Sequence, residues 1–258
     1  MSYTINTISI MQFSFQMYSA RNFLDTEDNI KLIADIGYKY IEGYGDLFKN
    51  HELLKQLLAK YNLTMPSAHF DYNMLINHQN NVLELVELFK IKTIICPFLQ
   101  IEDRPSNVKQ WIDFSNKLLS ISEFYTKLGY NFGWHNHDFE FFNIDKDIKP
   151  IKIILDNTNI FWEVDIAWIF KAKTDPLPWI KEYKNRIIAV HLKDINKESN
   201  QNEEDGWADF GHGIINWQPI ISEFKKSNIS LFIMEHDNPN NLNRFANRSF
   251  LKGNAMFN

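Results

Sequence analysis

Eight short apolar runs recur along this chain, each followed by a stretch with helical spacing or by a polar loop, and that alternation restricts the fold more than any other feature. The runs are Thr7 to Phe15, Tyr38 to Tyr44, Leu63 to Phe70, Lys92 to Phe98, Tyr130 to His135, Ile160 to Ile169, Arg186 to Leu192 and Ile229 to Met234. They are short, rich in Ile, Phe, Tyr and Val, and bounded by turn residues, as strands are. Between them, Asp28 to Ile36 places Ile30, Ile33, Ala34 and Ile36 close to helical spacing, with Gly37 where a helix C-terminus expects it. His51 to Lys60 carries Leu53, Leu54, Leu57 and Leu58 on one face; Asn80 to Phe89, Val108 to Leu128, Trp217 to Lys226 and Leu242 to Leu251 read the same way. Strands that alternate with helices pair in parallel through crossover connections. Eight such units predict an α/β protein, a (β/α)8 TIM barrel forming one domain over residues 1–258, a length such barrels use as a single unit. Three segments are looser: a short helix is expected around Ile151 to Leu155, a helical turn or two at Trp179 to Tyr183, and a charged, aperiodic loop over 196–209 that would serve as a lid.

Barrels of this kind carry their chemistry at the C-terminal ends of the strands. There the sequence places Gln16, Glu42, His69, His135, Asp165, His191 and Glu235. The densest patch is Trp134-His135-Asn136-His137-Asp138-Phe139-Glu140, in which the imidazoles of His135 and His137, two residues apart, lie on one face of a strand. Asp165, His191 and Glu235 come from three successive strand ends, which a closed barrel makes neighbours. Carboxylate, imidazole and carboxylate suit Mn²⁺, Mg²⁺, Co²⁺ or Zn²⁺. A fourth ligand is expected from the preceding strand, where His135 stands at the end and Glu140 lies further out.

Composition narrows the function classes. The formal charge of −5 supplies no basic footprint for phosphate backbones, so nucleic acid is not expected as a partner. The single cysteine, Cys96, sits in an apolar run and reads as core. Met1 to Ser14 lacks a charged leader followed by a long apolar stretch, and no segment is apolar enough to span a bilayer, so no membrane association and a cytoplasmic location are expected. His51, His78 and His212 read as surface or loop residues, and Asp145, Asp147 and the acidic cluster at 203–205 as solvated surface.

Taken together, the segments Gln16 to Arg21, Gly37 to Tyr44, His135 to Phe141, Glu163 to Trp168, His191 to Asp194 and Glu235 to Asp237 resemble the sugar isomerase/epimerase superfamily with the xylose-isomerase-like TIM barrel, which also contains inosose dehydratases and enzymes of the endonuclease IV type. The resemblance covers nearly the whole chain. It implies a divalent metal held by Glu, Asp, His and Glu from successive strands, and Asp165, His191 and Glu235 match the last three. At the first position this chain has His135, with Glu140 five residues on. Either His135 binds the metal and Glu140 touches substrate, or Glu140 is the ligand and His135 orients it. The implied reaction is proton abstraction next to the carbonyl of a sugar or keto-sugar through a metal-stabilised enediolate. Glu235 or Glu140 would take the proton, and His137 or Lys193, the latter oriented by Asp194, would act as acid or oxyanion partner. Trp168 would stack on substrate, with Glu42 and His69 as further contacts. A dehydratase or lyase acting on a keto-polyol is the alternative; a non-catalytic sugar-binding barrel and a phosphodiesterase of the endonuclease IV type stand behind it. A homo-oligomer is left open.

Overall fold

The computed structural model describes residues 13–23, 25–197 and 204–258. Among them, eight parallel strands close into a barrel: β1 (Phe13–Gln16), β2 (Tyr40–Gly43), β3 (Thr64–His69), β4 (Thr93–Cys96), β5 (Asn131–His135), β6 (Phe161–Asp165), β7 (Ile187–Leu192) and, after the short antiparallel pair β8 (Asp194–Ile195) and β9 (Trp207–Ala208), β10 (Leu231–Met234). The ring closes where Phe13, Ser14 and Phe15 pair with Phe232, Ile233 and Met234. The alternation expected from sequence is therefore the architecture, with helices between strands forming the outer layer.

Side chains alternate along each strand, so one residue faces the helices and the next faces the barrel axis. The outward set is large and apolar. Phe15 meets Tyr38 and Phe245, Trp134 meets Phe114, Trp162 meets Tyr183, and Phe232 meets Phe224 and Phe257. The inward set turns polar towards the strand C-termini, where Gln16, Glu42, Ser67, His69, His135, Glu163, Asp165 and His191 are all buried. Caps fix the helix starts that aim this set. Asp25 accepts from the backbone N–H groups of Glu27 and Asp28 ahead of helix Thr26–Ile36, and Asn107 accepts from Gln110 N ahead of helix Val108–Lys127.

Several boundaries differ from the sequence expectation. The first strand is described from Phe13; residues 7–12 of the expected run lie outside the described residues. The run to Ile169 stops being a strand at Asp165, because that side chain caps helix Ile166–Lys171 by accepting from Trp168 N at 2.9 Å. The short helix around Ile151 is Pro150–Asn157, and the turn at Trp179 is a full helix, Pro176–Tyr183, capped by Asp175. The segment expected as an irregular loop carries β9, which pairs with β8 through Ile195 and Trp207, while residues 198–203 lie outside the described residues. What holds that excursion is Asp194. Its carboxylate accepts from Ile195 N, Gly211 N, Ile215 N and Trp217 Nε1, so it fixes the backbone and does not orient Lys193 as expected. Glu204, expected as solvated, pairs with Arg244 at 2.6 Å and accepts from Asn240 N at 2.7 Å. Among the described residues, no helix is long and apolar enough to cross a membrane.

Gly133 shows how tightly the inner layer is filled. A Cβ there would meet Ile95 Cδ1 at 2.9 Å and the backbone oxygen of Phe161 at 3.1 Å, and the latter belongs to the paired strand. Gly133→Ala is expected to destabilise the protein by roughly 1–3 kcal/mol through overpacking. Chemical denaturation of the two proteins measures this, and an unchanged midpoint would show that the barrel has slack at this level.

Candidate metal centre at the barrel mouth

Asp165, His191 and Glu235 meet at the C-terminal end of the barrel because β6, β7 and β10 are consecutive in the ring. Asp165 divides its carboxylate between two tasks. Oδ1 caps the following helix, which leaves Oδ2 to face Lys193 Nζ at 3.0 Å and His191 Nδ1 at 4.0 Å. The backbone N–H of Asp165 donates to Asn136 Oδ1, which also accepts from Trp162 Nε1, so β5 and β6 are stitched together where their functional residues emerge. Glu235 Oε2 lies 2.9 Å from His191 Nδ1 and 3.0 Å from Lys193 Nζ. The ligating atoms of His135, Asp165, His191 and Glu235 all lie within 4.8 Å of one another, and all four residues are buried.

Beneath them lies a second polar tier. Gln16 Nε2 and Ser67 Oγ donate to Glu42, whose Oε2 is 2.8 Å from His191 Nε2 and 3.2 Å from His69 Nε2. His69 pairs in turn with Glu163 Oε1 at 2.6 Å. Glu42 thus sits below the mouth, and His69 reaches up from this tier to line the cavity.

The cavity above measures about 530 Å³, within the range that holds small ligands. Its floor includes His69, His135 and Glu235, and its walls carry aromatic rings: Tyr18 and Tyr44 on one side, Phe98 and His137 on another, and Trp168 with Trp207. Trp168 and Trp207 meet edge to face at 4.6 Å, and the Lys193 ammonium lies 4.4 Å from the Trp207 ring centre.

Electrostatics follow from burial. Burial works against the charge on Lys193, but Asp165, Asp237 and Glu235 hold its ammonium firmly protonated. The burial of Asp165 pushes its carboxyl up to about 6 against the pull of Lys193, whereas Lys193 and His191 overcome burial to keep Glu235 well below the carboxylate range. Burial and the nearby Lys193 push His137 down to about 3, which leaves a neutral imidazole on the cavity wall. For His191, the carboxylates of Glu235 and Glu163 outweigh burial and raise the ring well above its usual range.

Glu140 is the nominated residue that the fold takes elsewhere. Its carboxylate accepts from Trp134 Nε1 at 3.0 Å and from His137 N at 2.9 Å, closing the turn after β5, and it does not join the ligand atoms above. Burial pushes it up to about 8, as suits a group enclosed by aromatic and backbone atoms. His135, by contrast, lies in the cluster itself. Three site residues were missed from sequence. Glu163 stands two residues before Asp165 on the same inward face, and Asp237 follows Glu235 at the same spacing, so periodicity held a signal for both. Trp207 lies in an aperiodic charged segment that gave none.

The family model of the xylose isomerase-like TIM barrel matches residues 30–252, and the chain belongs to that family. Among curated proteins, none matches significantly. Among solved structures, a sugar phosphate isomerase/epimerase from Parabacteroides distasonis superposes with a TM-score of 0.80 at 18% identity, over 97% of this chain and 96% of that one. The IOLI protein, solved with a bound zinc atom, gives 0.75 at 13% identity over 95% and 96%. The probable 3-DHS dehydratase AsbF of Bacillus anthracis, involved in petrobactin synthesis, gives 0.71 at 15% identity over 96% and 100%. At these identities the likeness is one of fold.

Charge compensation in the lower tier has a measurable consequence. Burial opposes the charge on His69, but Glu42 and Glu163 raise it to about 10 from the ordinary 6.5. A raised imidazole stabilises the folded state fully below pH 6.5, and that stabilisation is lost as pH rises towards 10. In the presence of a chelator, thermal stability is expected to fall across this window by an amount on the order of a few kcal/mol, and His69→Gln should flatten the slope. Equal slopes for the two proteins would contradict the pairing.

Proposed function

We propose that this protein is a divalent-metal-dependent isomerase or epimerase of a sugar or keto-sugar, working in the cytoplasm by proton abstraction next to a carbonyl. The observation that carries this reading is the convergence of His135, Asp165, His191 and Glu235 beneath a cavity walled by aromatic rings. The donor set fits a cation. It combines two carboxylates with two imidazoles, the chemistry that Mn²⁺, Co²⁺ and Zn²⁺ accept, with Mg²⁺ favoured less as nitrogen donors increase. His135 Nδ1 is buried without a hydrogen-bond partner, and so is Asp165 Oδ2, whose contact with Lys193 is an ion pair without hydrogen-bond alignment. When bound, such a cation polarises the carbonyl and stabilises the charge that develops on its oxygen.

The remaining work falls to side chains. Glu235, held ionised by Lys193 and His191 and lining the cavity, takes the proton from the carbon next to the carbonyl. Lys193 keeps positive charge beside the developing oxyanion, and the neutral His137 ring hands a proton to and from substrate oxygen. Trp168 offers the half-buried ring face against which an apolar sugar face stacks. Return of the proton to the neighbouring carbon gives an isomer, and return to the opposite face gives an epimer. One observation favours the dehydratase or lyase alternative: Asp237, whose carboxyl burial raises from its ordinary range, lines the same cavity 2.7 Å from Lys193 Nζ, which sets a second acid–base group beside a departing β-hydroxyl.

Asp165→Asn and Glu235→Gln are each expected to lower turnover at least ~100-fold while leaving the circular dichroism of a folded barrel. With an active keto-sugar in D₂O, deuterium should enter at the carbon next to the carbonyl. Turnover without any solvent deuterium in recovered substrate or product would exclude this chemistry.

A further inference from the structure

The ammonium of Lys193 rests on the same carboxylates that a cation at the mouth needs. Nζ lies 3.0 Å from Asp165 Oδ2, 3.0 Å from Glu235 Oε2 and 2.7 Å from Asp237 Oδ2, and Asp237 is outside the ligand set. The three contacts are unequal. Glu235 and Asp237 accept hydrogen bonds from Nζ, whereas Asp165 Oδ2 is buried with no hydrogen-bond partner. Because Asp165 Oδ1 accepts from Trp168 N, Oδ2 is the oxygen left for a cation, and it is also the one beside the ammonium.

This lysine has little room to move away. Its side chain is fully buried, and Nζ sits 4.4 Å from the Trp207 ring centre and 5.0 Å from that of Trp168. Two indole rings and three carboxylates all favour positive charge at that point. The main chain is held as well: Lys193 lies between β7 and β8, and the next residue, Asp194, accepts from the backbone N–H groups of Ile195, Gly211 and Ile215. The ammonium is therefore a fixed charge at the edge of the ligand cluster. Its consequence is electrostatic. Like charges that share oxygens repel, and in an enclosed site they do so several times more strongly than in water. A carboxylate engaged by an ammonium also donates less electron density to a metal, which leaves the ion a stronger polariser of a carbonyl.

We propose that Lys193, besides standing near the reacting oxygen, is a positioning residue that sets how firmly the mouth holds its divalent cation, weakening the ion's attachment so that it stays exchangeable and electron-poor. This inference rests on the cation site of the proposed function. Asp237 completes the arrangement. As the nearest partner of Nζ, it keeps the ammonium beside Asp165 and Glu235 without belonging to the ligand set itself.

Chelator-stripped natural protein and Lys193→Met are to be titrated with Mn²⁺ by isothermal calorimetry at a single pH. The variant is expected to bind Mn²⁺ at least ~10-fold more tightly. Damage to the mouth would loosen the ion, so tightening is a result that a lysine of purely structural importance does not give. Lys193→Gln repeats the measurement with a polar side chain should the methionine variant fail to fold. A smaller gain, or a loss, in a folded variant overturns the inference and leaves the proposed function standing. Binding by the variant alone supports the inference and removes metal dependence from the proposed function. Binding by neither protein overturns both.

Discussion

Burying carboxylates at the end of a closed barrel is the constraint from which the rest of this structure follows. Eight strands must each turn back towards a helix, and their last inward-facing side chains share one small enclosed volume. Here that volume holds Glu42, Glu163, Asp165 and Glu235, with the ammonium of Lys193 and a set of imidazoles as compensation. Every polar contact in the region reads as an answer to that charge. Gln16 and Ser67 donate to Glu42, His69 and His191 bridge carboxylates, and Lys193 sits among three of them. Such a cluster is destabilising unless it is fully paired.

The surrounding elements hold this charged interior at fixed geometry. Asp165 serves helix capping and the mouth at once, so the position of its free oxygen is set by where a helix begins. Asn136 ties β5 to β6 through Asp165 N and Trp162 Nε1. Asp194 pins the excursion after β7, which brings Trp207 against Trp168 and completes the cavity wall. Arg244 bonds to both Glu204 and Asp209 and anchors the same excursion to the last helix. Rigid placement of this kind is what a site needs if it is to stabilise charge on a reacting oxygen without reorganising.

The architecture was legible because it rests on periodicity. Alternation of strand-like and helix-like runs depends on local patterns, and the strand ends followed from the runs themselves. The coincidence of Asp165, His191 and Glu235 was legible for the same reason: barrel closure turns sequence order into spatial neighbourhood. What escaped depends on the direction of single side chains. Glu140 is close in sequence to His135, yet the turn after β5 folds it back onto Trp134 Nε1, a choice made by local packing. Asp194 lies beside Lys193 but its oxygens are spent on backbone N–H groups across the excursion. Trp207 joins the site through pairing with Ile195 across an irregular segment, and no periodic signal announces such a contact.

The claim on which this account turns is that the mouth of the barrel is a cation site built from Asp165, His191 and Glu235. Titration of chelator-stripped protein with Mn²⁺, followed by the paramagnetic resonance signal of the free ion, tests it most directly. The account predicts that the free-ion signal stays suppressed until the site is filled and that Glu235→Gln removes this suppression. A free-ion signal that grows in proportion from the first addition to the unaltered protein would contradict it.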